Sequence, residues 1–524
     1  MFMRRLPLDT SSFRQIRESG DVYVDKTPWI HRLLTGGRCY FLSRPRRFGK
    51  SLTINTLKEI FRGNRKLFEG LYLYDKWDFR EHPVLIFDFN TIPRETPEDL
   101  KAGLYATLQE HARDYGVELK SCGALGKDFD SLIRALYRRF ETPVVVLIDE
   151  YDKPILDHLG LGPERLEIAR ENREVLKNFF GVLKGAGVVD ELRFVFVTGV
   201  SYFSKVSIFS EWNNLVDLTL HPDFADFLGY TEEEITRFFP EHLDLLCRER
   251  GFPSLEECLS EIRYWYNGYR FSPDRDIRVY NPISLMYCLS WRSFKNFWFK
   301  TGTPTFLVNW LKEKPWRIPE LERFRVPPEF LEAFDLENLR VEAVLYQAGY
   351  LTIGEAREEE WVLTYPNREV KRSFQSVLLQ GFSGGETTPR ILADELGEAL
   401  RRLDLEAARE ILDEILSYIP HTLYDRADER FFHTVFYLAL ALSGYRAESE
   451  VLSHRGRLDM AVRYEGEKRV FVFEFKAGES AEEALRQIEE KGYAARYQAQ
   501  GLEVIRVGVS FDPRTRRITQ IRKG

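Results

Sequence analysis

Five short apolar runs, set apart by long helical stretches, constrain this chain more than any other feature. Arg38–Leu42, Val84–Phe89, Pro143–Ile148, Arg193–Thr198 and Leu215–Leu220 are rich in β-branched and aromatic residues, and four of the five are almost wholly apolar. An alternating run marks a strand with one wet face, whereas a run apolar throughout marks one buried on both. Helical patterns lie between the runs, as at Asp99–Tyr115 and Glu164–Leu183. Strands alternating with helices predict an α/β fold, a parallel sheet with helices on both faces.

The rest of the chain is organised differently. From about Tyr230 helical segments dominate, punctuated by Tyr266-Asn267-Gly268-Tyr269, Ser272-Pro273-Asp274 and Gly302-Thr303-Pro304. Strand-like stretches at Glu342–Ile353 and Glu360–Tyr365 predict a small winged or β-capped unit within this mainly helical middle region. After Gly384-Gly385-Glu386 another helical stretch runs to about Ser443, and a β–β–α pattern follows. The length of 524 residues predicts about three domains, placed at 1–229, 230–400 and 401–524.

Composition excludes several classes. Hydrophobic residues make up 44% and charged residues 30%, the balance of a soluble globular protein. Arg4 and Arg5 have no apolar stretch behind them, so a secretory signal is not expected. The longest apolar run, Val435–Leu442, falls far short of the roughly 20 residues that cross a bilayer, and no membrane partner is expected. Cys39, Cys122, Cys247, Cys258 and Cys288 include no C-x-x-C spacing, which argues against a disulfide framework or zinc knuckle and for a reducing, cytoplasmic setting. A net charge of −7 means that DNA or RNA, as a partner, must meet a local basic patch.

The run Arg38–Leu42 leads into Ser43-Arg44-Pro45-Arg46-Arg47-Phe48-Gly49-Lys50-Ser51, and a helix opens at Leu52. A loop of this kind aims backbone N–H groups and a positive helix end at a polyphosphate. Lys50 would sit on the β/γ-phosphates and Ser51 on Mg²⁺, and Arg46 and Arg47 would help neutralise phosphate charge or else form a basic partner surface. Arg44 occupies the place where the usual pattern has its first glycine. About 100 residues on, Pro143–Ile148 ends in Asp149-Glu150. An Asp at such a strand end holds Mg²⁺, and the adjacent Glu can polarise the attacking water. Thr198, ending Arg193–Thr198, is placed to contact the γ-phosphate or that water, or else to cap its strand. Tyr23-Val24-Asp25-Lys26-Thr27-Pro28 reads as a helix start, with Thr27 as N-cap and Pro28 at the first helical position, and can also border an adenine pocket.

The second constellation lies near the other end. Gly456–Val462 forms one strand pattern and Arg469–Lys476 the next. Alternation puts Phe471, Phe473 and Phe475 on one face and Val470, Val472, Glu474 and Lys476 on the other. Asp459, Glu474 and Lys476 can therefore converge at one end of the hairpin. The two acids would hold Mg²⁺ or Mn²⁺, with Glu450 as a further acid, and Lys476 would orient a water and stabilise phosphate charge. Ser480-Ala481-Glu482-Glu483 opens an amphipathic helix from which Gln487 can reach back. His433 and His454 can be read as acid/base groups, although a lone His is more often structural, and Tyr493 reads as core. A salt-bridged hairpin without cleavage is the plain alternative.

At these residues the chain resembles the prokaryotic AAA-like ATPases that carry a C-terminal PD-(D/E)xK nuclease domain. The resemblance rests on Tyr-Val-Asp-Lys-Thr at 23–27, Arg-Pro-Arg-Arg-Phe-Gly-Lys-Ser at 44–51 and Ile-Asp-Glu-Tyr-Asp at 148–152. It continues through Thr-Gly-Val-Ser at 198–201, Phe-Ser-Lys-Val-Ser-Ile-Phe-Ser at 203–210, Tyr-Asn-Gly-Tyr at 266–269 and Tyr-Asn-Pro at 280–282. Asp459, Glu474, Lys476 and Gln487 match the PD-(D/E)xK core residue for residue. The resemblance implies ATP rather than GTP, a P-loop sheet with an additional strand, and Arg as the usual residue at position 44.

Together these parts predict an ATP-regulated, metal-dependent nuclease. A nucleotide-dependent switch or scaffold, binding nucleic acid or protein without cleavage, is the competing class. A ring-forming homo-oligomer would need an arginine finger, for which Arg170, Arg173 and Arg270 are candidates only as arginines.

Overall fold

A computed structural model describes residues 3–185, 187–201, 208–209, 212, 214–298, 318–332, 340–420, 429–443, 446–453, 456–463, 468–512, 514–515 and 517–524. The side chains of 319, 320, 332, 429–431, 446–453 and 456–459 lie outside that description. The chain forms two compact units, the first Met1–Trp298 with Arg325–Glu369, the second Phe299–Phe324 with Val370–Gly524.

The first unit is built on β1 (Cys39–Ser43), β2 (Val84–Asp88), β3 (Val144–Asp149), β4 (Leu192–Gly199) and β5 (Val216–Asp217), in the order β2-β3-β4-β1-β5. All neighbours are parallel, and β4 is the additional strand between β1 and β3. Helices cover the sheet. Phe87 buries its ring against Phe129 and Phe179, and Phe194 against Phe61. The run Leu215–Leu220 shortens to β5 because Asp217 turns the chain, its carboxylate accepting the Thr219 N–H at 2.8 Å.

Residues 230–298 pack as helices onto the N-terminal segment. Val22 and Val24 share a core with Ile235, Phe239, Ile262, Leu285 and Met286. This core stands the segment and the helix Pro282–Trp291 as walls beside the phosphate loop. The strand-like stretch Glu342–Ile353 is in fact a helix, Val341–Gln347, followed by a strand. Its apolar residues do not alternate, and Gly349, at φ 85°, stops the helix where a side chain would strike Pro45. A three-stranded sheet follows, β6 (Phe324–Val326), β7 (Thr352–Ala356) and β8 (Trp361–Thr364), ordered β6-β8-β7.

The second unit holds β9 (Arg446–Ser453), β10 (Gly456–Arg463), β11 (Arg469–Ala477), β12 (Glu503–Asp512) and β13 (Arg517–Lys523) in one mixed sheet, ordered β13-β12-β11-β10-β9. Only β11 and β12 run parallel. Alternation on β11 holds as read. Phe475 stacks at 4.7 Å on Phe436 of the helix Glu429–Ser443. Val470 and Val472 pack on the other face with Ile488, Tyr493 and Tyr497. Among the described residues no helix is long and apolar enough to cross a membrane.

Candidate functional site

The phosphate loop runs from the end of β1 to the helix Lys50–Phe61. Gly49 stands before that helix at φ 93°, and Arg47 takes the left-handed region too, at φ 69°. Together they turn the chain so that the helix start faces a cavity. Arg44 does not face it. Its fully buried guanidinium donates to the carbonyls of Ser43, Thr219 and Phe224 at 2.9, 2.7 and 3.1 Å and lies 4.2 Å from the Phe271 ring. Burial pushes its pKa down to about 10. The residue that replaces a loop glycine is thus a brace beneath the loop. Arg44→Gly would leave these buried carbonyls without their donor; relief of a buried charge offsets part of that loss. We expect a destabilisation of about 3 kcal/mol, read from urea unfolding, and a change under about 1 kcal/mol would contradict the brace.

Lys50 closes over the loop, its Nζ 3.0 Å from the Arg44 carbonyl, 3.2 Å from that of Pro45 and 3.4 Å from Glu150 Oε1. Asp149 is buried at the end of β3, and its Oδ1 has no hydrogen-bond partner among the described residues. Burial, then the charge of Glu150, pushes its pKa up to about 6, while a Ser51 hydrogen bond and the Lys50 charge oppose the rise. A buried acid beside a hydroxyl, with one oxygen unspent, fits a hydrated Mg²⁺. Glu150 itself stands at φ 51°, a conformation rare outside glycine.

Lys50, Ser51 and Glu150 open into a cavity of about 440 Å³. Arg47, Gly49, Lys50, Ser51, Leu52 and Glu150 line it together with the apolar side chains of Leu8, Val24, Ile283 and Met286 and the ring of Tyr287. Arg46 is not in the lining, and its carbonyl accepts from Asn281 Nδ2 at 3.4 Å. Thr198, read from sequence as a γ-phosphate or water contact or else a strand-end cap, is fully buried, and its hydroxyl donates to the Leu42 carbonyl at 2.9 Å. Thr27 is also not an N-cap. The helix Thr27–Gly36 includes it, and its hydroxyl is bonded to Asp25 and to the Leu73 N–H. Arg270 is spent as a turn brace, donating to the carbonyls of Ser272, Pro273 and Arg275. Arg170 and Arg173 pair with Glu167 and Glu174.

Two partnerships escaped the sequence. Asp152 is buried and accepts from the Val200 and Ser201 N–H groups and the Ser201 hydroxyl, fastening the end of β4 to the acidic end of β3. A Cβ on Gly199 would fall 2.5 Å from that carboxylate. Lys26 lines the cavity and pairs with Glu234 at 2.6 Å. Neither partnership follows from a local period.

The raised pKa of Asp149 carries a sign. The unfolded carboxyl titrates near 3.8 and the folded one near 6, so the folded state disfavours the charge. The penalty is absent below about pH 4 and complete above about pH 6. Asp149→Asn should therefore stabilise the nucleotide-free protein by about 2–3 kcal/mol at pH 7.5 and scarcely at pH 4. Equal shifts of the unfolding midpoint at both pH values would sink this account.

In the second unit, Glu474 is buried on β11, and Lys476 Nζ donates to Gln487 Oε1 at 2.6 Å. Gln487 Nε2 donates in turn to Glu474. Ser480 caps the helix Ala481–Glu490, which buries Ala481, Ala484 and Ile488 on the sheet and so aims Gln487 at the two strand residues. β10 pairs with β11 from Arg463 opposite Val470 to Met460 opposite Phe473, one residue short of Asp459 and Glu474. The side chains of Asp459 and Glu450 lie outside the described residues, as does His454. His433 stands 5.9 Å from the Phe475 ring, on the phenylalanine face. Among the described residues no group of three His, Cys, Asp or Glu is placed to hold a metal.

The solved structures similar to this chain include two from Aeropyrum pernix. The ORC2 protein (ADPNP-ADP complexes) is 12% identical, with a TM-score of 0.24, covering 71% of this chain and 96% of that one. The ORC1 protein in complex with DNA is 11% identical, with a TM-score of 0.22, covering 67% and 91%. A family of predicted AAA-ATPases (AAA-ATPase-like) matches residues 7–209, and the PD-(D/E)XK nuclease superfamily matches residues 427–521. A protein of Azotobacter chroococcum mcd 1, described as "Uncharacterized protein in vnfD 5'region", is 37% identical over 530 residues, 99% of this chain and 98% of that protein. The chain belongs with that full-length relative to one family, in which a predicted AAA-ATPase domain precedes a domain of the PD-(D/E)XK nuclease superfamily.

Proposed function

We propose that the protein binds and hydrolyses ATP, and that its C-terminal domain is a Mg²⁺-dependent nuclease acting on DNA or RNA under nucleotide control. The observation that carries the first half is one cavity lined both by Gly49, Lys50, Ser51 and Glu150 and by apolar side chains, with the buried Asp149 next to Glu150 at the end of β3. Backbone N–H groups at the helix start face the phosphates, and Lys50 leaves Glu150 to meet the β- and γ-phosphates. Glu150, so released, orients the attacking water and takes its proton. Asp149 and Ser51 are the residues that would hold Mg²⁺, which supplies charge stabilisation on the phosphates. Leu8, Val24, Met286 and Tyr287 supply the apolar contact that a base requires.

For the second half, the Glu474–Gln487–Lys476 chain is a prepared arrangement. Gln487 fixes the lysine and the acid relative to one another, so that Lys476 can orient water and stabilise the charged phosphate. Glu474, Asp459 and Glu450 would hold the divalent ion, Mg²⁺ or Mn²⁺. The net charge of −7 favours a second reading, a nucleotide-dependent switch whose nuclease-like domain binds without cutting. The test is incubation of single- and double-stranded DNA and RNA with the protein and Mg²⁺ or Mn²⁺, with and without ATP. Metal-dependent cleavage that changes with ATP supports the proposal; ATP hydrolysis with no cleavage of any substrate leaves the switch.

A further inference from the structure

The chain passes between its two compact units at 298/299, 324/325 and 369/370. Two of these crossings are tied at one side chain. The buried Glu369, last residue of the first unit before Val370, accepts the N–H groups of Phe297 and Trp298 at 2.5 and 2.8 Å, and Trp298 is the last residue before Phe299. A carboxylate at this depth is held only because it is bonded there.

The same junction leans on the wall of the cavity. Phe297 stacks on Tyr287 with centroids 5.5 Å apart and planes 17° apart, and Tyr287 lines the cavity. Tyr287 belongs to the helix Pro282–Trp291, whose N-cap Asn281 donates to the carbonyl of Arg46 in the phosphate loop. Arg47, in the next position and left-handed, lies within electrostatic reach of both Tyr287 and Glu369. One helix therefore touches the phosphate loop, forms the cavity wall and supports the residues where the chain leaves the unit.

We propose that Glu369 is a positioning residue: with Phe297 against Tyr287, it makes the paired crossing at Trp298 and Glu369 respond to whether the nucleotide cavity is filled. This deepens the ATP-binding reading above and rests on it. A nucleotide against Tyr287 braces the Tyr287–Phe297 stack, and the two N–H groups then open less often.

The test is hydrogen–deuterium exchange at the Phe297 and Trp298 amides in the full chain, with nucleotide binding measured in the same samples by a fluorescent ATP analogue. Saturating ATP with Mg²⁺ is expected to slow exchange at these amides by about tenfold in the unaltered protein. Phe297→Leu, which is not in the cavity lining, should bind nucleotide within about threefold of normal yet lose the exchange response. Glu369→Gln keeps an acceptor oxygen and should keep the amides protected in the nucleotide-free protein, whereas Glu369→Ala should not. Binding with unchanged exchange, or a Phe297→Leu protein that responds normally, overturns this proposal alone. Absence of any nucleotide binding overturns the ATP reading and this proposal with it.

Discussion

Lys476→Ala is expected to lower metal-dependent cleavage of nucleic acid by about 10²–10³-fold or more while leaving the C-terminal sheet folded. The two halves of that statement have separate causes. Lys476 keeps about a fifth of its side chain exposed, at 22%, and its short contact is one hydrogen bond to Gln487. Removing it therefore costs about 1 kcal/mol of stability. Its effect on a reaction is larger, because an ammonium fixed beside an acid stabilises charge that develops only in the transition state. Gln487→Ala makes a graded companion. It leaves the lysine in place but frees it to wander, so a loss of about 10-fold, smaller than for Lys476→Ala, is the expected order. The measurements are cleavage rate with Mg²⁺ and with Mn²⁺, beside the thermal unfolding midpoint of each variant. Cleavage that survives Lys476→Ala undiminished assigns the activity elsewhere.

How much of this was legible in the sequence depends on how far apart the contacting residues lie. The turn from β1 through Gly49 into Lys50 is one contiguous stretch, and its chemistry shows in the order of residue types. Glu474 and Lys476 were legible for the same reason, because strand alternation places them, and helix register brings Gln487 to them. Thr198 shows the limit of that logic. Its place at the end of a strand between β1 and β3 was legible, but not that its hydroxyl meets the Leu42 carbonyl of the neighbouring β1. Asp152 reaches residues 48 and 49 positions away, and Lys26 reaches a partner 208 away, distances at which no local pattern operates. Arg44 is the sharpest case. From the sequence it is a missing glycine beside two other arginines; only the fold supplies the carbonyls of Thr219 and Phe224 that turn it downward.

Lys50→Ala and Glu150→Gln should both abolish ATP turnover, and they should do so for different reasons. Lys50 lines the cavity, with its Nζ shared between two loop carbonyls and Glu150. Its removal takes away the charge that meets the phosphates, so affinity for ATP should fall by about 10-fold or more, and turnover with it. Glu150→Gln keeps the shape and removes the base. ATP should bind as well as before or better, since a carboxylate near the phosphates has become neutral, while hydrolysis falls by about 10²–10⁴-fold. Loss of the Glu150 charge also removes one cause of the raised pKa of Asp149, so in this variant the acid should titrate lower than about 6. Equilibrium binding of a fluorescent ATP analogue, phosphate release and a pH series of unfolding midpoints separate these effects. If Glu150→Gln hydrolyses ATP at the unaltered rate, then Glu150 is only the resting partner of Lys50, and the water must be activated by another group.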